Sequence, residues 1–166
     1  MIKVAILGYG TVGSGVFQVL NENREQIAAK NNCDIEVKYV LDLREFPEDP
    51  VEGVLVHDYE IILQDKEVSI ICETMGGTKP AYDFTRRALE AGKSVCTSNK
   101  ELVEKHGAEL LRIAKENNCN YLFEASVGGG IPVLRPMISS LSQEKIVSIT
   151  GILNGTTNYI LTKMER

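Results

Sequence analysis

The stretch Lys3–Gly13, KVAILGYGTVG, constrains the fold more than any other part of the chain. An apolar run of strand-forming residues ends in glycines. Val12, Val16, Val19 and Leu20 then recur at helical spacing. A strand, a tight turn and a helix therefore follow one another directly, and the helix is expected to reach about Ala29. In that order the G-x-G-x-x-G spacing has a physical reading. Gly8 permits the turn, Gly10 leaves room for a diphosphate, and Gly13 lets helix and strand pack closely. The helix N-terminus offers free N–H groups and a partial positive charge to phosphates. The alternative is a plain tight strand–helix turn.

The rest of the chain continues the alternation. Ile35–Asp42 and Val68–Glu73 read as strands, as do the short segments SVCTS and YLFEAS, and Pro80–Ala91 and Lys100–Asn117 read as helices. Arg44–Gly53, with two prolines, reads as a loop. Such alternation implies an α/β fold, a Rossmann-type doubly wound, mostly parallel sheet with right-handed crossovers. After Ile131 the character changes: Pro132 opens a helix to about Leu141, and Lys145–Leu153 is a long β-branched run expected to be a strand. Residues 1–130 are thus read as a dinucleotide-binding domain, and 131–166 as the start of a second α+β domain.

Charge and composition narrow the function. A net charge of −5, without a long block of like charge, gives no sign of a nucleic-acid or anionic-membrane partner. No apolar run reaches membrane-span length, and the first apolar run is too short for a secretory signal. Four cysteines, none in a C-x-x-C pair, and two histidines favour reduced thiols in a cytoplasm over a zinc site or disulfides. His106 shares a helical stripe with Leu102 and Leu110 and is expected to be packed; neither it nor His57 is expected to act chemically.

Ligands of parallel sheets bind beyond the carboxyl ends of the strands, so the residues there carry the functional reading. After the second strand, Asp42 suits the two ribose hydroxyls of NAD, whereas Arg44 suits the 2′-phosphate of NADP. Asp42 falls later than the usual spacing of about 20 residues, and a solvated loop pair reads equally well. After the Val68 strand, Thr74 and Gly76–Gly77 allow a backbone approach to the nicotinamide, or simply a turn. Ser98, Asn99 and Lys100 follow the next strand. A lysine at a helix start opposes the helix dipole, which points to a task such as holding a substrate oxygen; a solvated lysine is the plainer reading. Glu124 with its glycine loop suits a monovalent cation with oxygen ligands, or a domain hinge. In Asn154–Asn158, Thr156 or Thr157 serves as a helix cap or touches a substrate.

Taken in order, GYGTVGSGV, ETMGG, TSNKELV, EASVGGGIPVLRP and GILNGTTNYILTKM closely resemble the homoserine dehydrogenase family across nearly the whole chain. The resemblance implies an NAD(P)-dependent oxidoreductase interconverting L-homoserine and L-aspartate 4-semialdehyde in threonine and methionine biosynthesis. It implies cofactor contacts at Tyr9, Gly10, Thr11 and Val12, nicotinamide-side contacts at Thr74 and Ser98, and a place near the reacting centre for Lys100. It implies a monovalent cation, such as sodium, at Glu124, Val127, Gly129 and Ile131. Asn154, Gly155 and Thr156 would line the substrate cleft. Family members often carry arginine where Leu41 stands, so NAD and NADP both stay open. The family also continues well beyond Arg166, with its proton-transfer residues and dimer interface there. The 166 residues are therefore expected to bind cofactor with little or no turnover, and the full-length enzyme to be a homodimer. The competing readings are another semialdehyde or dihydrodipicolinate-type reductase and a non-catalytic dinucleotide sensor.

Overall fold

The protein is described by a computed structural model covering residues 1–152 and 155–165. Strand β1 (Ile2–Leu7) leads through the glycine turn into α1 (Thr11–Glu22); α2 (Arg24–Asn31) then returns the chain to β2 (Ile35–Leu41). A 3-10 turn (Pro50–Val54), a two-residue strand β3 (Leu55–Val56) and a short helix α3 (Tyr59–Gln64) precede β4 (Val68–Glu73). Next come α4 (Ala81–Glu90), β5 (Ser94–Thr97), α5 (Lys100–Glu116) and β6 (Tyr121–Leu122). Helices α6 (Glu124–Gly128), α7 (Leu134–Ser140) and α8 (Gly155–Met164) follow.

Every strand pairing is parallel, in the order β3-β2-β1-β4-β5-β6. The chain builds outward from β1 in one direction, then crosses to β4 and builds outward in the other. This is the doubly wound sheet expected above. Its switch point lies between β1 and β4, where a crevice opens beyond the strand ends.

The central strands are apolar on both faces because helices cover both. Period-two alternation sends Ala5 and Leu7 into one buried cluster with Ile71, Leu89, Val95 and Leu110, and Ile6 into the other with Phe17, Val37 and Val40.

Four expectations need correction. The first helix is not continuous to Ala29. Asn23 breaks it, its side-chain amide donating to the Val19 carbonyl and competing with the helical ladder. The segment YLFEAS is strand only at Tyr121–Leu122, and Glu124–Gly128 closes into α6. The proline loop conceals the 3-10 turn, followed by β3 and α3. Residues 145–152 are not a strand: among the described residues no strand pairs with them, and Val147, Ile149 and Ile152 are exposed. β-branched composition alone supplies no ladder partner. The end of that expected strand, Leu153, and the expected turn residue Asn154 lie outside the described residues, while the helix expected after the turn is present as α8.

Candidate cofactor site

The glycine turn has the geometry its spacing demands. Gly8 adopts φ +95°, and a Cβ at Gly13 would stand 1.9 Å from the Gly8 carbonyl oxygen. A Cβ at Gly10 would meet nothing within 4 Å. Thr74, beyond β4, locks the turn from the other side. Its hydroxyl lies 3.0 Å from both the Leu7 and Gly8 carbonyl oxygens, and its N–H donates to Leu7. Gly10 is the N-cap of helix α1, which therefore has no side-chain cap. Its first N–H groups therefore face the crevice as an anion seat.

On one side of this turn lies an apolar cavity of about 490 Å³, lined by Gly8, Asp42, Arg44 and His57 among others, with Tyr59 and Phe84 from α3 and α4. Asp42 and Arg44 form its polar rim. The Arg44 Nε and Nη2 donate to the two Asp42 oxygens at 2.9 and 2.8 Å, and the Tyr9 N–H donates to Asp42 Oδ2 at 2.8 Å. The Arg44 guanidinium, helped by these N–H groups, holds the Asp42 carboxyl well below the usual carboxylate range. His57 closes the rim, its Nδ1 2.6 Å from the Asp42 carbonyl oxygen. Sequence reasoning set His57 aside; its place here depends on β3, which the sequence did not reveal.

Tyr9 does not point toward the crevice. Its ring packs edge-on against Phe17 and Phe46, and its hydroxyl donates to Asp49 at 2.9 Å. Burial, then the Asp49 bond, pushes its pKa up to about 12. Tyr9 therefore pins the Arg44–Gly53 segment to the glycine turn, with its backbone N–H already serving Asp42.

On the other side a cavity of about 270 Å³ brings together Val12, Thr74, Ser98 and Glu124, four of the residues expected at the nicotinamide end or the cation site. Behind it lies a buried network that the strand pattern did not disclose. The Glu73 carboxyl is fully buried, accepts from the Met75 N–H at 2.8 Å, and is bonded to the Thr97 hydroxyl. Asn99 extends the network, donating to the Met75 and Gly77 carbonyls while capping α5 through the Leu102 N–H. Burial raises the Glu73 pKa above the ordinary glutamate value. The network joins the loops after β4 and β5, and so fixes Thr74 relative to Ser98.

The remaining expected residues are placed as follows. Thr11 and Lys100 stand exposed in the first turns of α1 and α5. The Glu124 carboxylate caps α7, accepting from the N–H groups of Val133, Leu134 and Arg135, which together hold its pKa low. Val127 lies in α6, Gly129 directly after it, and Ile131 is exposed. Gly155 and Thr156 are exposed in the first turn of α8. His106, as expected, is packed, its ring centroid 4.1 Å from that of Tyr82. All four cysteines are free.

A parallel sheet ordered about a switch point, with an uncapped helix N-terminus between two cavities, defines a nicotinamide-dinucleotide-binding α/β domain. The comparisons refine that class. Residues 8–124 match the family described as "Homoserine dehydrogenase, NAD binding domain", and residues 132–166 match "Homoserine dehydrogenase". The chain belongs to the homoserine dehydrogenase family. It is 42% identical to the homoserine dehydrogenase of Bacillus subtilis over 98% of its own length and 38% of the relative's. It is 39% identical to that of Lactococcus lactis over 99% of its length and 40% of the relative's. The chain thus spans about two fifths of these relatives (38% and 40%). Among solved structures, the Thiobacillus denitrificans homoserine dehydrogenase superposes with a TM-score of 0.88 at 35% identity, covering 98% of this chain and 38% of that one. The Staphylococcus aureus enzyme at pH 7.5 gives 0.72 at 41% identity, covering 78% and 33%.

Proposed function

We propose that this chain supplies the nucleotide-binding part of an NAD(P)-dependent oxidoreductase that interconverts L-homoserine and L-aspartate 4-semialdehyde. The bound nicotinamide supplies the hydride chemistry; the chain's own residues bind, orient and polarise. The amides from Gly10 to Gly13 hold the diphosphate. The cavity rimmed by Asp42 and Arg44 takes the adenosine end. Thr74 and Ser98 border the nicotinamide end, and the Lys100 ammonium donates to the substrate oxygen on which charge develops.

The observation that carries this reading is the convergence of both cavities on one uncapped helix N-terminus. Arg44 is bound to both Asp42 oxygens and to the Tyr9 carbonyl, but its side chain is largely exposed whereas that of Asp42 is not, so Arg44 is the group on the rim that an incoming phosphate meets. We therefore assign NADP(H) as the preferred cofactor, with Arg44 as its 2′-phosphate contact. The break between the two family matches supports a domain boundary near Gly130. The homodimer and the cytoplasmic setting rest on the family resemblance. Among the described residues no helix is long and apolar enough to cross a membrane.

The cation fits less well as the side chains stand. Glu124 already serves three amides, so a sodium ion at Glu124, Val127, Gly129 and Ile131 would require that carboxylate to leave α7. No step of the reaction is assigned to it.

Fluorescence titration with NADPH tests the central reading. Saturable binding is expected, and Gly10→Glu is expected to abolish it. A Cβ at this position meets nothing within 4 Å and the backbone is not in the left-handed region, so the fold is expected to be spared, while the carboxylate repels the diphosphate. Unchanged binding in Gly10→Glu would remove the glycine turn from the site.

A further inference from the structure

The second cavity contains a feature that the cofactor reading does not use. Cys72 on β4 and Cys96 on β5 are register partners on adjacent parallel strands, so their side chains leave the sheet on the same face. Their sulfurs are 3.3 Å apart, and both residues line the cavity wall. Neither is fully buried. Neighbouring strands lie about 4.7–4.9 Å apart, inside the range of about 4.4–6.8 Å over which a disulfide joins two Cα atoms without backbone movement. The other thiols are placed differently. Cys33 lies against the Asp34 carbonyl, and Cys119 against the carbonyls of Leu89 and Ala114.

We propose that Cys72 and Cys96 form a dithiol–disulfide site in the wall of the cofactor cleft, oxidised by low-molecular-weight disulfides. The Cys96 thiolate attacks one sulfur of the reagent, whose S–S bond breaks, and one reagent thiol leaves with the proton that Cys96 gave up. A mixed disulfide remains on Cys96. Cys72 then loses its proton and attacks the Cys96 sulfur, and the second reagent thiol leaves with that proton. Two protein thiols are oxidised to one disulfide, and one reagent disulfide is reduced to two thiols. The order of attack follows from the pair's polarity. In the dithiol the Cys96 thiol donates to the Cys72 sulfur; once Cys96 is ionised the Cys72 thiol donates back to it, which lowers the Cys96 pKa and raises that of Cys72.

The test is a mass measurement on the reduced wild-type chain treated with bis(2-hydroxyethyl) disulfide; it needs no cofactor and does not depend on the proposed function. The expected result is loss of two hydrogens without an adduct, reversed by dithiothreitol. Trypsin should then yield the peptide carrying Cys72 (67–86) joined to that carrying Cys96 (94–100). In Cys72→Ser, the mixed disulfide on Cys96 should accumulate instead. Stable adducts at Cys72 or Cys96 in the wild type, reaction confined to Cys33 and Cys119, or no reaction at all would each overturn the proposal.

Discussion

At the residue scale, two glycines of one turn do different jobs. A Cβ at Gly13 collides with the Gly8 carbonyl and approaches the Thr74 hydroxyl to 2.9 Å, so the whole β1–α1 connection must shift. Gly13→Ala is expected to destabilise the fold by about 1–3 kcal/mol, measurable as a lower urea midpoint. Gly10→Glu should leave that midpoint unchanged and lose the dinucleotide. Equal destabilisation by the two would contradict this division. Arg44 offers a second residue-scale test. Its guanidinium neutralises Asp42 and is the contact assigned to a 2′-phosphate. Arg44→Ala should weaken NADPH binding by about tenfold or more, the worth of a charge-assisted hydrogen bond, and leave NADH binding equal or tighter. Parallel titration with both cofactors decides it, and equal weakening would remove the phosphate role. The turn at Gly8 and the close packing at Gly13 were legible because they are backbone roles. The surroundings of the Tyr9 ring were not legible, because nothing local shows that Phe17, Phe46 and Asp49 gather around it.

At the element scale, the loops after β4 and β5 act as one unit through Glu73, Thr97 and Asn99. Burial raises the folded pKa of Glu73 above its unfolded value of about 4.3. The proton is therefore held more tightly in the folded chain. Its stabilising contribution is complete below the unfolded value and is lost as pH rises through the folded one. Glu73→Gln has no such proton. As pH rises above about 4 the wild type should lose unfolding free energy relative to this variant, as read from urea midpoints. Parallel pH profiles would refute the buried-carboxyl account. The same scale shows what sequence can and cannot disclose. Strands β1 and β4 were legible because burial on both faces writes apolar runs, and β2 and β5 because β-branched residues recur between turn or helix signals. β3 was not, since two residues carry no period and Leu55–Val56 is a strand only through its pairing with β2. Residues 145–152 fail in the opposite sense: strand-like residues with no pairing among the described residues. At α6, residues that pattern as the end of a strand turn helical, and Glu124 caps α7 across sequence distance.

At the scale of the molecule, one parallel sheet sets the ends of β1, β2, β4 and β5 along one edge and winds helices onto both faces. That edge brings together Gly8–Gly13, Asp42–Arg44, Thr74 and Ser98, residues separated by up to ninety positions in the chain (8 to 98). That these residues lie beyond the carboxyl ends of strands was legible from the strand–helix alternation. The cavities were not, because their walls come from α3, α4, α6 and α7, whose docking is tertiary. The proposed function requires a dinucleotide lying across the switch point with its diphosphate on the N-terminus of α1. A crystal structure of the chain with NADPH tests this most directly. The predicted density places the diphosphate against the N–H groups of Thr11 and Val12, the adenosine toward Asp42 and Arg44, and the nicotinamide toward Thr74 and Ser98. An empty crevice, or NADPH bound at another surface, would contradict it.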